Sequence, residues 1–416
     1  MKYLNLLLLI STFLLACSRG TVARDPNASG TLSDKLLFKI GLARSFLSSE
    51  KRFVSYGRTS GRLSVIAPEG GREVWGQNLP GYQEFFTLPQ VAGAALWSEK
   101  SLYITEQTAA QSFDISGFTR YAQAASSSLA FTFVSSTGDS LRIIKLLTDH
   151  SWQNETFQPS WALGDMNEQP ELVTSFSPSG RQLLAIDLNG NAFDIHKEDT
   201  TGRMKPVLEG CPAFAALAQN ENLRAVRWAQ DESKIYLGNQ QGRIHQLTPE
   251  DGCAGQDLLP EITLPNSYAI LDIQEDKSQQ LLVSQPGLIT RIDSKTWSIM
   301  ASTPTSCQLP MGALSLDATH LLIACLVPMQ THDPGQLPLA LLLQDKVQYI
   351  VQELPQGEER IFTFQDSSIA GLAIDIEAKR LYMMSSSGLG MLENHDLLTG
   401  AREISTGLLI DGILDP

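Results

Sequence analysis

Six histidines, five cysteines and a scatter of carboxylates near turns are the residues whose types could do chemistry, so their spacing is weighed first. His150, His196, His245, His320, His332 and His395 are dispersed, and no two stand at the i, i+4 spacing that puts a zinc pair on one helix face. The cysteines are too far apart to write a zinc ribbon. Asp187-Leu188-Asn189-Gly190-Asn191 opens like a calcium loop, but its glycine falls at the fourth position where the sixth is required. A hairpin turn on Asn189-Gly190 accounts for it better. Gly-x-Ser-x-Gly and Gly-x-Gly-x-x-Gly are absent, and Gly388-Leu389-Gly390 lacks the third glycine of a phosphate loop. Asp231, Asp317 and Asp375 recur at one position of a repeat, which marks them as turn formers and not as one converging site. No catalytic constellation stands, and no metal or cofactor is expected.

The elements that position these residues are written as a repeat. Arg224 to Gly252 reads as three short strands joined by tight turns. Gly61 is followed by RLSVIAPEGG and Gly242 by RIHQLTPEDG; Asn189-Gly190 precedes NAFDIH, Pro286-Gly287 precedes LITRID, and Gly388 precedes LGMLEN. Before each turn stands another strand (FVSYG, LLAIDL, IYLGN, LLVSQ, LYMMS), and before most of those a polar turn such as SPSGR, AQDESK or DIEAKR. Strand centres fall near Phe53, Leu102, Phe131, Leu184, Tyr236, Leu282, Leu322 and Tyr382. Most intervals are roughly 40 to 55 residues, the period of propeller blades. The expected fold is all-β, a single β-propeller of seven or eight four-stranded blades over residues 35–416. The unit from Leu129 to Leu147 is the least regular and leaves the number open. Trp228, Ile235, Tyr236 and Leu237 are expected between blades.

Met1 to Ala16 carries one basic residue and then an apolar run of about a dozen residues, a signal-peptide core too short to span a bilayer. It ends in Leu14-Leu15-Ala16-Cys17, which resembles the lipobox of bacterial lipoproteins. That resemblance implies cleavage before Cys17, diacylation of Cys17 and firm membrane attachment without a transmembrane helix. Ser18 in place of aspartate leans, by the rule of enterobacterial lipoproteins, toward the outer membrane. Residues 17–34, rich in Gly, Ser, Asn and Pro, read as a flexible tether.

The chain has 416 residues, 43% of them apolar and 18% charged, and a net charge of −14. Such an acidic surface argues against nucleic acid and against anionic lipid other than through the anchor. An exported compartment permits disulfides. Cys307 enters a repeat unit and Cys325 lies late in its second strand, so alternation brings the two toward one face and a Cys307–Cys325 bridge is feasible. Cys211 falls in a connection and Cys253 in a hairpin at the opposite end of the next unit, so a bond between them is not expected. The other reading is that some of the four are free and buried.

Three segments break the repeat: Leu79 to Val91 with Tyr82, Phe85 and Phe86; His150 to Pro170 with Trp152, Phe157 and Trp161; and Val327 to Pro338 with His332. Long loops in a compact fold are disproportionately functional, and aromatics in them are what hot spots are made of. Their alternative is to fold back and cap the core. In a four-stranded blade the second-to-third turn and the connection to the next blade emerge on one side, so all three segments are expected on one face.

The repeats resemble those of WD-repeat and related bacterial propellers, although the Trp-Asp dipeptide, the kelch glycine pairs and the quinoprotein tryptophan-docking motif are missing. In plan the chain also resembles the envelope propeller lipoprotein that assists outer-membrane protein assembly, on architecture alone. The resemblance implies a non-enzymatic scaffold that binds another envelope protein through one propeller face. An enzyme such as a lactonase-like hydrolase, or a small-ligand binder, using the central channel is the alternative.

Overall fold

The computed structural model describes strands and turns between residues 45 and 405. Residues 1–44, 158–171, 210–222, 249–260, 328–345 and 406–416, with shorter stretches in other loops, lie outside the described residues. Cys17, Trp161, Cys211, Cys253 and His332 are therefore among those outside it.

Among the described residues thirty-two strands form eight sheets, each of four antiparallel neighbours in chain order. Blade 1 holds β1 (Ser45–Leu47), β2 (Phe53–Gly57), β3 (Arg62–Ala67) and β4 (Arg72–Asn78). Blade 2 holds β5 (Glu84–Thr87), β6 (Gly93–Trp97), β7 (Ser101–Glu106) and β8 (Ala110–Asp114). Blade 3 holds β9 (Phe118–Gln123), β10 (Ala130–Ser135), β11 (Leu141–Leu146) and β12 (Trp152–Phe157). Blade 4 holds β13 (Leu172–Phe176), β14 (Gln182–Asp187), β15 (Phe193–Glu198) and β16 (Met204–Glu209). Blade 5 holds β17 (Leu223–Trp228), β18 (Ile235–Asn239), β19 (Arg243–Leu247) and β20 (Glu261–Thr263). Blade 6 holds β21 (Asp272–Glu275), β22 (Gln280–Gln285), β23 (Leu288–Asp293) and β24 (Ser298–Pro304). Blade 7 holds β25 (Pro310–Ser315), β26 (His320–Val327), β27 (Lys346–Glu353) and β28 (Glu359–Gln365). Blade 8 holds β29 (Ile369–Asp375), β30 (Arg380–Ser385), β31 (Leu392–Asp396) and β32 (Arg402–Ser405). First strands of successive blades approach one another, as β13, β17, β21 and β25 do, and β1 packs beside β29. The chain is an all-β propeller of eight blades.

The middle strands are apolar on both faces because each face has its own neighbour. Ala94 and Leu96 of β6 pack with Val54, Leu63 and Val65 of blade 1, while Ala95 between them packs with Phe131, Phe133 and Ile144 of blade 3. Leu281 and Val283 of β22 likewise join blade 5, and Leu282 joins blade 7. This is the period-2 alternation of a strand buried on two sides. Each such side chain contributes at most about 1.5–3 kcal/mol. Trp228, Ile235, Tyr236 and Leu237 lie in these interfaces, none more than 2% exposed.

The recurring glycine has a second reason beyond its turn. At Gly242 φ is +76°, and a Cβ there would stand 2.3 Å from the backbone oxygen of Asn266. At Gly61 φ is +65°, and a Cβ would stand 2.5 Å from Pro80 Cα. In both blades the connection to the next blade crosses over the second-to-third turn. The N–H of Leu264 donates to Gly242 O at 2.9 Å, and that of Leu79 to Gly61 O at 2.6 Å. Thr305 N–H donates to Gly287 O in the same way. Only glycine tolerates both the conformation and the close approach.

The aspartates of the first-to-second turns cap their own backbones. Asp231 Oδ1 accepts the N–H and hydroxyl of Ser233 at 3.0 and 2.7 Å; Asp317 Oδ1 accepts those of Thr319 at 2.9 and 3.0 Å. Asp375 Oδ1 accepts the Ala378 N–H at 2.9 Å. These are Asx turns, which restrain the chain locally.

Three expectations are corrected. Leu102 lies on the third strand of its blade, and the second is β6. Its turn at Ser98 to Lys100 closes without glycine because Ser98 Oγ accepts the Ser101 N–H at 3.2 Å, so the sequence signal is absent there. The unit around Leu129 to Leu147 is a complete blade. Two of the irregular segments hold regular strands. Phe85 and Phe86 stand on the first strand β5 opposite Leu96 and Ala95, and Trp152 to Phe157 is the fourth strand β12.

Cys307, between β24 and β25, is bonded to Cys325 on β26 with Cα atoms 5.7 Å apart. The bridge ties a blade-to-blade connection to the strand beneath it.

Trp228 tests the interface between blades 4 and 5, because its buried Nε1–H donates to Ser175 O at 3.0 Å. Trp228→Ala should lower stability by about 3–5 kcal/mol in chemical denaturation. Trp228→Phe should cost less, about 1–3 kcal/mol, for the lost hydrogen bond to Ser175 O and the smaller ring.

Candidate functional site

Blade-to-blade connections and second-to-third turns share one side of the disc, and the connection from Leu264 to Leu271 shows how that side is built. Leu264 and Ile270 are buried, and the Ile270 N–H donates to Asn239 O at 3.0 Å. The Leu271 N–H donates to Ser284 O at 2.8 Å. Gln285, fully buried, donates its Nε2 protons to Asn266 O at 2.9 Å and to Tyr268 O at 2.7 Å. Hydrogen bonds therefore fix both ends and the middle, yet the Tyr268 side chain stands 57% exposed. A large aromatic on a fixed backbone binds with little ordering cost, which is what an anchor at an interface needs.

The aromatics singled out from sequence behave differently. Tyr82, in the connection after β4, is half-buried in the cluster between blades 1 and 2, its ring 5.8 Å from that of Tyr103. Burial pushes its phenol up, with a Ser101 hydrogen bond opposing. Trp152 packs on the cluster between blades 2 and 3, 5.3 Å from Phe113. It stands at the end of β12 that follows the third-to-fourth turn, away from the connection face. Tyr82 and Trp152 each fold back on a different interface, so they do not form one patch. Phe85, Phe86 and Phe157 lie on strands, and Trp161 and His332 lie outside the described residues.

A buried polar cluster around Glu275 joins blades 5 and 6. Glu275, 7% exposed, accepts the Gln230 N–H at 2.5 Å, the Ser294 hydroxyl at 3.3 Å and the Tyr236 hydroxyl at 3.5 Å. Burial pushes its carboxyl above the usual range, and the Gln230 and Ser294 bonds pull it part of the way back. Tyr236, stacked on Trp297 at 5.9 Å, has its phenol pushed up by burial and by the Glu275 charge. Arg227 on β17 feels both Asp272 and Glu275; burial draws its guanidinium down while the carboxylates oppose. Asp272 Oδ2 accepts from Gln274 Nε2 at 2.8 Å. A raised carboxyl suits a general acid, but both Glu275 oxygens are engaged by blades 5 and 6, so its work is to join them. Among the described residues no three His, Cys, Asp or Glu side chains stand close enough to hold a metal.

Sequence reasoning passed over both features. Tyr268 follows the turn cluster Pro265-Asn266-Ser267 in a connection of ordinary length. Glu275 sits beside Asp276, which does form the turn by accepting the Ser278 N–H at 2.8 Å.

The fold defines the chain as a β-propeller. No family model matches it, and no curated protein does. Among solved structures it is similar to the dihydro-heme d1 dehydrogenase NirN in complex with DHE, at 9% identity and a TM-score of 0.55, over 85% of this chain and 72% of that one. KlHsv2 with loop 6CD replaced by a Gly-Ser linker matches at 10% identity, TM-score 0.45, over 78% and 97%. A chain of the mitotic checkpoint complex matches at 10%, TM-score 0.44, over 71% and 81%. The likeness to the first is one of fold, and fold does not assign chemistry.

The raised carboxyl of Glu275 gives a pH dependence of known sign. Well below its ordinary value of 4.5 the carboxyl is protonated in both states. As pH rises from there through its elevated folded value, the unfolded chain loses the proton first and stability falls. Glu275→Gln should lack this component, so the melting temperature of the parent should drop relative to the variant as the pH is raised from below 4.5 toward neutrality. Parallel melting curves across that range would show the carboxyl to be unshifted.

Proposed function

We propose that this chain is a non-enzymatic, lipid-anchored scaffold of the bacterial envelope that binds another envelope protein through the connection face of its propeller. The observation that carries the reading is Tyr268, an exposed aromatic held on a hydrogen-bonded connection. The lipobox at Leu14 to Cys17 supports membrane attachment, with Ser18 favouring the outer membrane. Cys17→Ala should move the protein from the membrane fraction to the soluble one, or stall its processing.

Capture from detergent-solubilised envelope, parent against Tyr268→Ala, tests the face. An anchor should cost about 2 kcal/mol on truncation, roughly thirtyfold in affinity, with the melt unchanged. Equal capture by a folded Tyr268→Ala variant would exclude that residue as an anchor.

A second reading, a small-ligand binder or lactonase-like hydrolase working from the central channel, is favoured by Arg227 and Asp272 on first strands. Arg227→Leu separates the two: under the scaffold reading it leaves capture by the connection face intact.

A further inference from the structure

Away from Tyr268 and Glu275, a cavity of about 350 Å³ opens between blades 6 and 7. Pro304, Thr305 and Ser306 form one wall, and Gln352, Gly357 and Glu359 the other. Its volume is at the small end of ligand pockets. Several N–H donors around it are already engaged. Gln352 Nε2 donates to Pro304 O at 2.7 Å, and the Ser306 N–H to Glu359 Oε1 at 3.0 Å. The Thr305 N–H goes to Gly287 O at 3.0 Å, and the Gly357 N–H to Glu353 O at 2.8 Å.

The acceptors are not spent. Gln352 is 4% exposed, yet its Oε1 has no hydrogen-bond partner among the described residues. A buried acceptor left alone costs about 1–3 kcal/mol unless something meets it. Glu359 supplies a carboxylate with one oxygen beyond the Ser306 contact, and the Ser306 hydroxyl can turn to accept, while the Thr305 hydroxyl already takes the Cys307 N–H at 3.3 Å. A cavity rich in acceptors, bearing a carboxylate, in a chain of net charge −14, calls for a cation with several protons to give.

We infer that this cavity binds an alkyl ammonium or guanidinium group, presented as a lysine or arginine side chain of a polypeptide. Thr305 and Ser306 belong to the connection that crosses Gly287, so the cavity borders the connection face at blades 6 and 7 and uses neither Tyr268 nor Glu275.

The full-length protein is titrated calorimetrically with Gly-Gly-Arg-Gly-Gly, its lysine counterpart, the same peptide carrying Nε-acetyl-lysine, and spermidine. Saturable binding of the two cationic peptides but not the acetylated one is expected. Glu359→Gln, whose amide oxygen can keep the Ser306 contact, should weaken it at least about tenfold with the melt unchanged, one charge-assisted bond being about 1.4 kcal/mol. No binding up to about 10 mM, or equal binding of the acetylated peptide, would overturn the proposal. So would equal affinity in parent and Glu359→Gln. Binding of spermidine with neither peptide overturns the polypeptide source.

Discussion

A four-stranded sheet with two apolar faces has no stable existence by itself, and this one requirement shapes the whole molecule. Leu281, Leu282 and Val283 point alternately at two different neighbours, so every blade needs a blade on each side and the row must end by meeting its own beginning. Closure uses no exchanged strand, because blade 1 takes all its strands from the start of the propeller and blade 8 all of its own from the end. Packing of β1 and β2 against β29 holds the ring. Cooperativity follows, since loss of any interface exposes two faces and leaves the remaining ring open.

Polar groups reinforce the same interfaces and in places set them. The Trp228 indole, the Gln352 amide and the Gln230 N–H each reach an atom of an adjoining blade, and the Lys145 ammonium meets Glu198 across blades 3 and 4. The connections crossing Gly61, Gly242 and Gly287 convert what would be loose links into a fixed rim. A rim of this kind can carry function because its backbone no longer has ordering entropy to lose.

Much of this was legible in the residues. The glycine turns, the strands before them and the polar turns before those gave the period, because each feature is local and repeats. Cys307 and Cys325 were legible because strand alternation relates them directly. Leu102 was misplaced for a local reason: a serine closes the turn that glycine closes elsewhere. Trp152, Phe85 and Phe86 were read as loop aromatics because Pro and polar residues surround them, whereas ladder pairing draws them into strands. The cation cavity was not legible at all. Pro304 and Gln352 are far apart in the chain, and nothing in either neighbourhood records which way a side chain points across an interface.

Carboxylates illustrate why composition alone misleads about chemistry here. Asp231, held by the Ser233 N–H and hydroxyl, has its carboxyl drawn below the usual range. At Asp317 burial opposes ionisation, but the Thr319 N–H and the neighbouring Lys379 and His320 outweigh it. Glu275, at the end of the first strand of blade 6, is pushed the other way. Net charge therefore speaks about the exterior and the approach of partners, and buried carboxylates speak about assembly.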